Sequence, residues 1–159
     1  MKAKYSRLIV VDASVAGAAG KTQHPVSSSC RRALDEILDI CHRAIMTPAI
    51  WEEWKRHKTE TASRWRSTMA AKKKIMYVRE PSNLPMPNRQ YLGLTPNEYT
   101  ALEKDMPLIE GACAGDGIII TRDDAIIAIW AKCSKQIKTP KTIRWINPVR
   151  EGADYLRNL

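Results

Sequence analysis

The chain alternates short apolar runs with longer stretches in which apolar and polar positions repeat at helical spacing. The short runs are continuous and mostly rich in β-branched residues, which is typical of strands buried on both faces of a sheet. They predict five strands, at residues 8–11, 44–46, 74–78, 117–121 and 142–146.

Helix signals fall between the first three of these runs. The serines at 27–29 can cap a helix whose apolar positions continue to Cys41. Thr47 followed by Pro48 predicts the start of the next helix, with an N-cap and a proline in the first turn. More helix is predicted over residues 62–73.

The second half of the chain opens with residues 81–94, which are rich in proline, asparagine and glycine and predict a loop. Residues 95–98 form a capping box, and the helix that starts there is expected to run to about Lys104, to break or kink at Pro107 and to resume as far as Ala114. Asp123 can cap a last helix after the fourth strand.

Strands that alternate with helices predict an α/β fold. We expect one domain over residues 1–159, a three-layer α/β/α sandwich with a mostly parallel central sheet of four to five strands. In such sheets, active sites lie beyond the carboxyl ends of the strands. Residues that directly follow strands are therefore the first place to search for chemistry.

The composition narrows the choice of partners. The net charge of +9 favours a polyanionic partner, most often nucleic acid. No apolar run reaches the length of a membrane span, and the apolar run that Asp12 ends is too short for a signal peptide, so we expect a cytoplasmic protein without a membrane partner. The cysteines and histidines lack zinc-ligand spacing: Cys30, Cys41, Cys113, Cys133, His24, His42 and His57.

Gly20-Lys21-Thr22 resembles the tail of a phosphate-binding P-loop, so nucleotide binding is an alternative function. That motif requires a glycine five positions before its second glycine, and here the position is occupied by Val15. A protein that binds nucleotides through Lys21 is therefore the weakest of the hypotheses.

Acidic residues follow the predicted strands or lie near helix starts. Asp12 directly follows the first strand, and Asp123 follows the fourth, so parallel strands would bring both to one edge. Ionised carboxylates that converge repel each other unless a cation lies among them, and oxygen ligands without His or Cys favour Mg²⁺ or Mn²⁺. Such an ion can activate water and stabilise an attacked phosphate.

The order of these acids resembles that of the PIN domain, a family of metal-dependent ribonucleases that includes the VapC toxins. The resemblance covers almost the whole chain. It rests on LIVVDASVAGAAG around the first aspartate, on TPAIWEEW around the helix glutamate, and on KDMPLIEGACAGDGIIITRDD around the later acids. It implies an Mg²⁺- or Mn²⁺-dependent endoribonuclease, the toxin of a toxin–antitoxin pair, that forms a homodimer and binds an antitoxin protein in its acidic cleft.

The resemblance also implies the residues of the site. Asp12, Glu53, Asp105 and Asp123 would be the catalytic and metal-binding residues, with Glu52 as a competitor of Glu53. Thr121 would place a hydroxyl beside them. Glu110 and Asp124 are secondary candidates as outer ligands.

Each of these acids has an ordinary structural role as an alternative. Asp12 can close the turn after its strand, and Asp123 can simply cap its helix. Asp105 can cap a helix that resumes near Pro107, and Glu53 can belong to a solvated helix surface.

Residues 55–74, which we call the basic arm, predict a surface that contacts RNA phosphates. The basic arm contains one acid, Glu60, and eight basic residues: Lys55, Arg56, Lys58, Arg64, Arg66, Lys72, Lys73 and Lys74. A non-catalytic RNA-binding module with a PIN-like fold is therefore the main alternative, and DNA remains open as the substrate. Trp51, Trp54 and Trp65 have the spacing of one helical face, which favours core or dimer packing.

Overall fold

The computed structural model describes residues 6–159 and is built around a five-stranded sheet. The strands are β1 (Leu8–Val11), β2 (Arg43–Met46), β3 (Ile75–Tyr77), β4 (Ile118–Ile120) and β5 (Arg144–Ile146). Their order is β3-β2-β1-β4-β5, and all four pairings between them are parallel. All five predicted strands are present, each within one or two residues of the expected bounds.

Eight α-helices connect and cover the strands of the described part of the chain. They are α1 (Ala13–Ala16), α2 (Pro25–Asp39), α3 (Pro48–His57), α4 (Glu60–Ala71), α5 (Arg89–Leu92), α6 (Pro96–Cys113), α7 (Asp124–Cys133) and α8 (Pro148–Glu151). Two 3₁₀ helices follow α7 and α8, at Ser134–Gln136 and Ala153–Asn158. None of the helices within residues 6–159 has the length and apolar character needed to span a bilayer.

The helices form two groups around the sheet. α6 contacts β1, β2 and β4 together with α3 and α7, whereas α2 contacts α4, α8 and the last 3₁₀ helix. The central strands are buried: Ile9, Val10 and Ile119 are all at 0% exposure. This confirms the predicted three-layer α/β/α sandwich, with a sheet that is parallel throughout.

Gly111 lets α6 lie close to β1 and α3. A Cβ at this position would stand 2.9 Å from Ile50 Cδ1 and 3.4 Å from Val10 Cγ2. A larger residue would push α6 away from the sheet. The lack of a side chain at Gly111 therefore determines how close α6 can lie to the sheet. Because Asp105 lies on the same helix, this contact also positions one of the candidate site residues.

α6 runs without interruption through Pro107, so the predicted break at this proline is wrong. A proline inside a helix removes one backbone hydrogen bond and costs about 3 kcal/mol. The helix continues because apolar side chains before and after the proline are buried, namely Leu102 and Met106 before it and Ile109 after it. Asp105 therefore lies inside a helix, and its alternative role as the cap of a resumed helix is excluded.

α2 begins earlier than predicted. Its N-cap is His24, whose Nδ1 accepts a hydrogen bond from Val26 N at 3.3 Å, and Pro25 occupies the first turn. Proline suits that position because the first backbone N–H groups have no partner within the helix. The serines at 27–29 thus lie inside the helix, and Ser27 accepts a hydrogen bond from Gly20 N at 3.0 Å.

The predicted loop at residues 81–94 contains the short helix α5. Asn88 caps its start by accepting a hydrogen bond from Tyr91 N at 2.8 Å. Gly93 ends it with φ 67°, a left-handed conformation that glycine adopts without strain. Four residues give no hydrophobic period, which is why the sequence pattern concealed this helix.

The three tryptophans do not share one helical face, because a break at Lys58 and Thr59 separates α3 from α4. Trp54 and Trp65 are buried and stack across the two helices, with ring centroids 5.9 Å apart. Trp54 Nε1 donates to Val11 O at 2.8 Å and ties α3 to the end of β1. These two rings belong to the core, whereas Trp51 is only half-buried.

His42 connects three distant parts of the chain. It is fully buried, its Nδ1 accepts a hydrogen bond from Arg7 N at 3.0 Å, and its Nε2 lies 2.9 Å from Leu156 O. Because Nδ1 accepts, the proton must be on Nε2, which donates to the carbonyl. Burial lowers the pKa of His42 below its usual 6.5.

We expect the stabilisation by His42, measured as the difference in free energy of unfolding between wild type and His42→Gln, to fall as the pH is lowered from 7.5 to 5. The folded-state pKa of His42 lies below the unfolded value, so its contribution is complete above pH 6.5 and is lost as the pH falls towards the folded value. His42→Gln should cost about 1–3 kcal/mol at pH 7.5 and less at pH 5, measured by urea unfolding. His24→Asn, which replaces an exposed imidazole but keeps an acceptor for the N-cap of α2, is the control. An equal pH dependence in wild type and His42→Gln would contradict the assignment.

Candidate functional site

A cleft of about 470 Å³ lies at the carboxyl ends of β1 and β4. Four acidic residues line it, and each comes from a different segment: Asp12 after β1, Glu53 on α3, Asp105 on α6 and Asp123 at the start of α7. The structure thus brings together the four acids that the sequence predicted as one site.

Asp12 is held by the end of β4, by Thr121 directly after that strand and by Ser14 in its own turn. Its backbone N–H donates to Ile120 O at 2.9 Å. Its Oδ2 accepts two hydrogen bonds, from Thr121 Oγ1 at 2.8 Å and from Ser14 Oγ at 2.7 Å. Within the described part of the chain, no donor is bonded to Oδ1, so one oxygen of a fixed carboxylate stays available to the cleft.

Thr121 links the two aspartates that follow the strands. It is fully buried, and the oxygen that donates to Asp12 also accepts a hydrogen bond from Asp123 N at 3.0 Å. Asp123 caps α7, as predicted: its Oδ1 accepts from Ala125 N at 2.9 Å and Ile126 N at 3.2 Å. Both bonds use Oδ1, so capping leaves Oδ2 without a donor from residues 6–159.

Ser14 also belongs to this hydrogen-bond network, although the sequence reasoning missed it. Its hydroxyl donates to Asp12 and accepts from Arg122 N at 3.1 Å. Arg122 Nε in turn donates to Ser14 O at 2.9 Å, which closes the turn after β1 onto the turn after β4. One feature of the sequence could have indicated Ser14: it lies two residues after the aspartate that follows the first strand, in the same turn.

Asp105 is half-buried on α6, and its pKa is raised to about 6. Burial is the largest cause, and the negative charges of Asp12, Asp123 and Glu53 raise the pKa further, against the lowering effect of Lys104. The other three carboxylates are therefore close enough to Asp105 to disfavour its ionised form.

Glu53 lies on the opposite wall. Arg56 Nη1 approaches its Oε1 at 3.1 Å, and His57 Nε2 stands 3.7 Å from its Oε2. Glu52, the alternative candidate for the helix glutamate of the site, does not line the cleft and forms an ion pair with Lys55 at 2.5 Å. The fold therefore brings Glu53 to the other acids and turns Glu52 away from them.

The two secondary acids lie outside the cleft. Glu110 Oε1 accepts a hydrogen bond from Leu84 N at 3.3 Å. Asp124 Oδ1 accepts from Asn147 Nδ2 at 3.0 Å and forms an ion pair with Arg150. Both carboxylates are thus engaged in contacts with other parts of the fold.

Three basic side chains line the cleft with the acids, and the sequence reasoning did not assign them there. They are His57 on α3, Lys104 on α6 and Arg122 after β4. The adjacency of Lys104 to Asp105 and of Arg122 to Asp123 was visible in the sequence, but no periodic pattern indicated that these side chains face the same cleft. They can bind an anion that approaches the carboxylates.

The basic arm is only partly available to a polyanion. Three of its cations are paired with acids on the same helix: Lys55 with Glu52, Arg56 with Glu53, and Arg64 with Glu60. Arg66 stacks on Trp51, and Lys74 Nζ donates to Leu38 O at 2.8 Å. Lys58 is half-buried, and Lys72 and Lys73 are exposed at the end of α4.

Gly20-Lys21-Thr22 does not occupy the position of a P-loop. In that motif the lysine and threonine open a helix directly, so that backbone N–H groups surround the phosphate. Here the helix begins later, at Pro25, and Gly20 N is already bonded to Ser27 Oγ. Arg31 donates to the carbonyl oxygens of both Gly20 and Thr22, which leaves this turn closed on α2.

The acids suit a hard cation in type, but their spacing limits how many can bind it at once. Within residues 6–159, no three His, Cys, Asp or Glu side chains are grouped so that they could hold a metal ion. Mg²⁺ is usually bound by one or two carboxylates together with waters and substrate phosphates. The cleft fits that kind of site, and it does not form a closed protein cage.

Comparison of the sequence with models of known protein families and with curated proteins gives no match.

We expect Asp105→Asn to stabilise the metal-free protein at pH 7.5 and to have little effect at pH 4. The folded-state pKa of Asp105 is raised, so its cost is absent below the unfolded value of 3.8 and grows as the pH rises through about 6. The gain should be about 1 kcal/mol after allowance for solvent screening. Urea unfolding in EDTA measures it, with Glu103→Gln, exposed on the same helix, as the control. Equal destabilisation at both pH values would contradict the electrostatic account.

Proposed function

We propose that this protein is a PIN-like endoribonuclease that hydrolyses RNA phosphodiester bonds with the help of Mg²⁺ or Mn²⁺. One observation carries the proposal: four carboxylates from four separate segments line one cleft, where burial and the charges of the other three raise the pKa of Asp105. Such a concentration of like charge costs stability and is typical of functional sites. A cation would remove that cost.

Asp12, Asp105, Asp123 and Glu53 are the proposed oxygen donors, of which Mg²⁺ or Mn²⁺ would use one or two at a time. When bound, the ion would lower the pKa of a water molecule and neutralise charge on the attacked phosphate. Thr121 and Ser14 would hold the Asp12 carboxylate in one orientation. Glu53 would orient the attacking water or accept its proton.

The cations of the cleft support a phosphate-containing substrate. Lys104 and Arg122 line the cleft with the acids, and they could each bind a phosphate oxygen on either side of the scissile bond. The net charge of +9 favours the approach of a polyanion, and the exposed lysines of the basic arm would extend the contact. A role as the toxin of a toxin–antitoxin pair, with a homodimer and a bound antitoxin, belongs to the same proposal.

A non-catalytic RNA-binding module is the second candidate. The observation that favours it is the absence, within residues 6–159, of three grouped ligands for one metal ion. Such a protein would bind RNA through its basic surfaces equally well with and without divalent ions.

We expect purified protein to cut single-stranded RNA with Mn²⁺ or Mg²⁺ and to stop when EDTA is added. Asp12→Asn should lower the rate at least 100-fold, because it removes the negative charge while keeping the shape of the side chain. Product formation on denaturing gels measures the rate, and circular dichroism verifies the fold of the variant. RNA binding that survives EDTA without any cutting would favour the binding module.

Two matched variants sharpen this experiment. Asp35→Asn, exposed on α2 and outside the cleft, should cut like the wild type. Glu53→Gln should reduce the rate at least tenfold more than Glu52→Gln, since only Glu53 lines the cleft. Equal cutting by wild type and Asp12→Asn would show that the activity comes from elsewhere.

A further inference from the structure

A second groove, which we call the aromatic groove, lies at the carboxyl ends of β2 and β3. Its volume is about 490 Å³, close to that of the acidic cleft and within the range of ligand sites. Helix α3 separates the two. At 100° per residue, Trp51 and Glu52 point to the aromatic groove, whereas Ile50 and Glu53 point to the cleft on the opposite side.

The groove combines aromatic rings with unpaired cations. Tyr77, the last residue of the edge strand β3, is 57% exposed and is one of three large apolar side chains that are exposed among the described residues. The Arg66 guanidinium lies over the Trp51 ring, 4.4 Å from its centroid. Neither Arg66 nor Arg79 forms an ion pair with any described residue, and the charge of Glu52 is balanced by Lys55.

One N–H group of Arg66 also lacks a hydrogen-bond acceptor. Its Nε is buried and has no hydrogen-bond partner among the residues from 6 to 159. A buried donor without a partner is rare, because it loses water and gains nothing in return. Because this N–H is buried, an anion in the groove would reach it only after the guanidinium turns towards the groove, and would then supply the acceptor that the described residues lack.

We infer that the aromatic groove binds a nucleotide of single-stranded RNA whose neighbouring segment lies in the acidic cleft. An exposed ring on which a base can stack, here Tyr77, together with cations that bind the backbone, is a general means of holding single strands, whereas the Trp51 ring already carries Arg66. An acidic peptide would use the two arginines but not the rings. This inference rests on the proposed ribonuclease function for its substrate, and it assigns that substrate a second contact site.

The position of the groove fits a continuous strand of RNA. Both sites open at the carboxyl edge of one parallel sheet, and only the first turns of α3 lie between them. A helix with its side chains is about 10–12 Å across, so a few nucleotides would bridge the two sites. Because the groove contacts bases by stacking, we expect little preference for sequence there.

The test is binding of a fluorescein-labelled single-stranded RNA octamer to the full chain in EDTA, measured by fluorescence polarisation. Tyr77→Leu and Arg79→Gln should each weaken binding about tenfold, and Arg79→Gln should also reduce the salt dependence by about one charge. The controls are Tyr91→Leu, 63% exposed outside the groove, and Arg43→Gln, exposed at the opposite end of β2. Both controls should stay within about twofold of the wild type.

The outcomes separate this inference from the proposed function. Wild-type binding in the groove variants would overturn the inference, and Mn²⁺-dependent cutting of the same octamer would then still support the ribonuclease. Weakened binding in those variants without any cutting would support the groove and count against the enzyme. Failure of the wild type to bind the octamer, or tighter binding of a polyglutamate peptide that the same variants weaken, would overturn the inference.

Discussion

The parallel pairing of β1 with β4 is the constraint on which the site depends. Val11 stands opposite Ile120 in this pairing, so the next residues of the two strands, Asp12 and Thr121, emerge side by side. Their hydrogen bond of 2.8 Å joins the turns that follow the strands, and Asp123 is tied to the same hydroxyl. Neither aspartate could be placed this way by its own segment alone, because each is fixed by the neighbouring strand.

Two helices complete the arrangement by close packing. Gly111 allows α6 to approach β1, and Trp54 Nε1 bonds α3 to Val11 O. Each contact also brings an acid, Asp105 or Glu53, towards Asp12. Burial and the resulting repulsion raise the pKa of Asp105, and the charge of Lys104 offsets part of this increase.

Sequence reasoning was most successful where the signal was local. Continuous apolar strands and the acids that follow them are adjacent in sequence, so the sheet, Asp12 and Asp123 were predictable. Ser14 and Lys104 were missed because their places at the cleft depend on how α1 and α6 pack. The break at Pro107 was wrong because tertiary burial outweighs a local penalty, and the serine cap of α2 was wrong because Pro25 begins the helix earlier.

The central claim is that the acids of the cleft bind a divalent ion, and direct titration with Mn²⁺ followed by electron paramagnetic resonance tests it without requiring any activity. We predict saturable binding by the wild type and at least tenfold weaker binding by Asp12→Asn and Asp105→Asn. Glu110→Gln, outside the cleft, should bind like the wild type. Absence of saturable Mn²⁺ binding, or equal binding by all four proteins, would contradict the account.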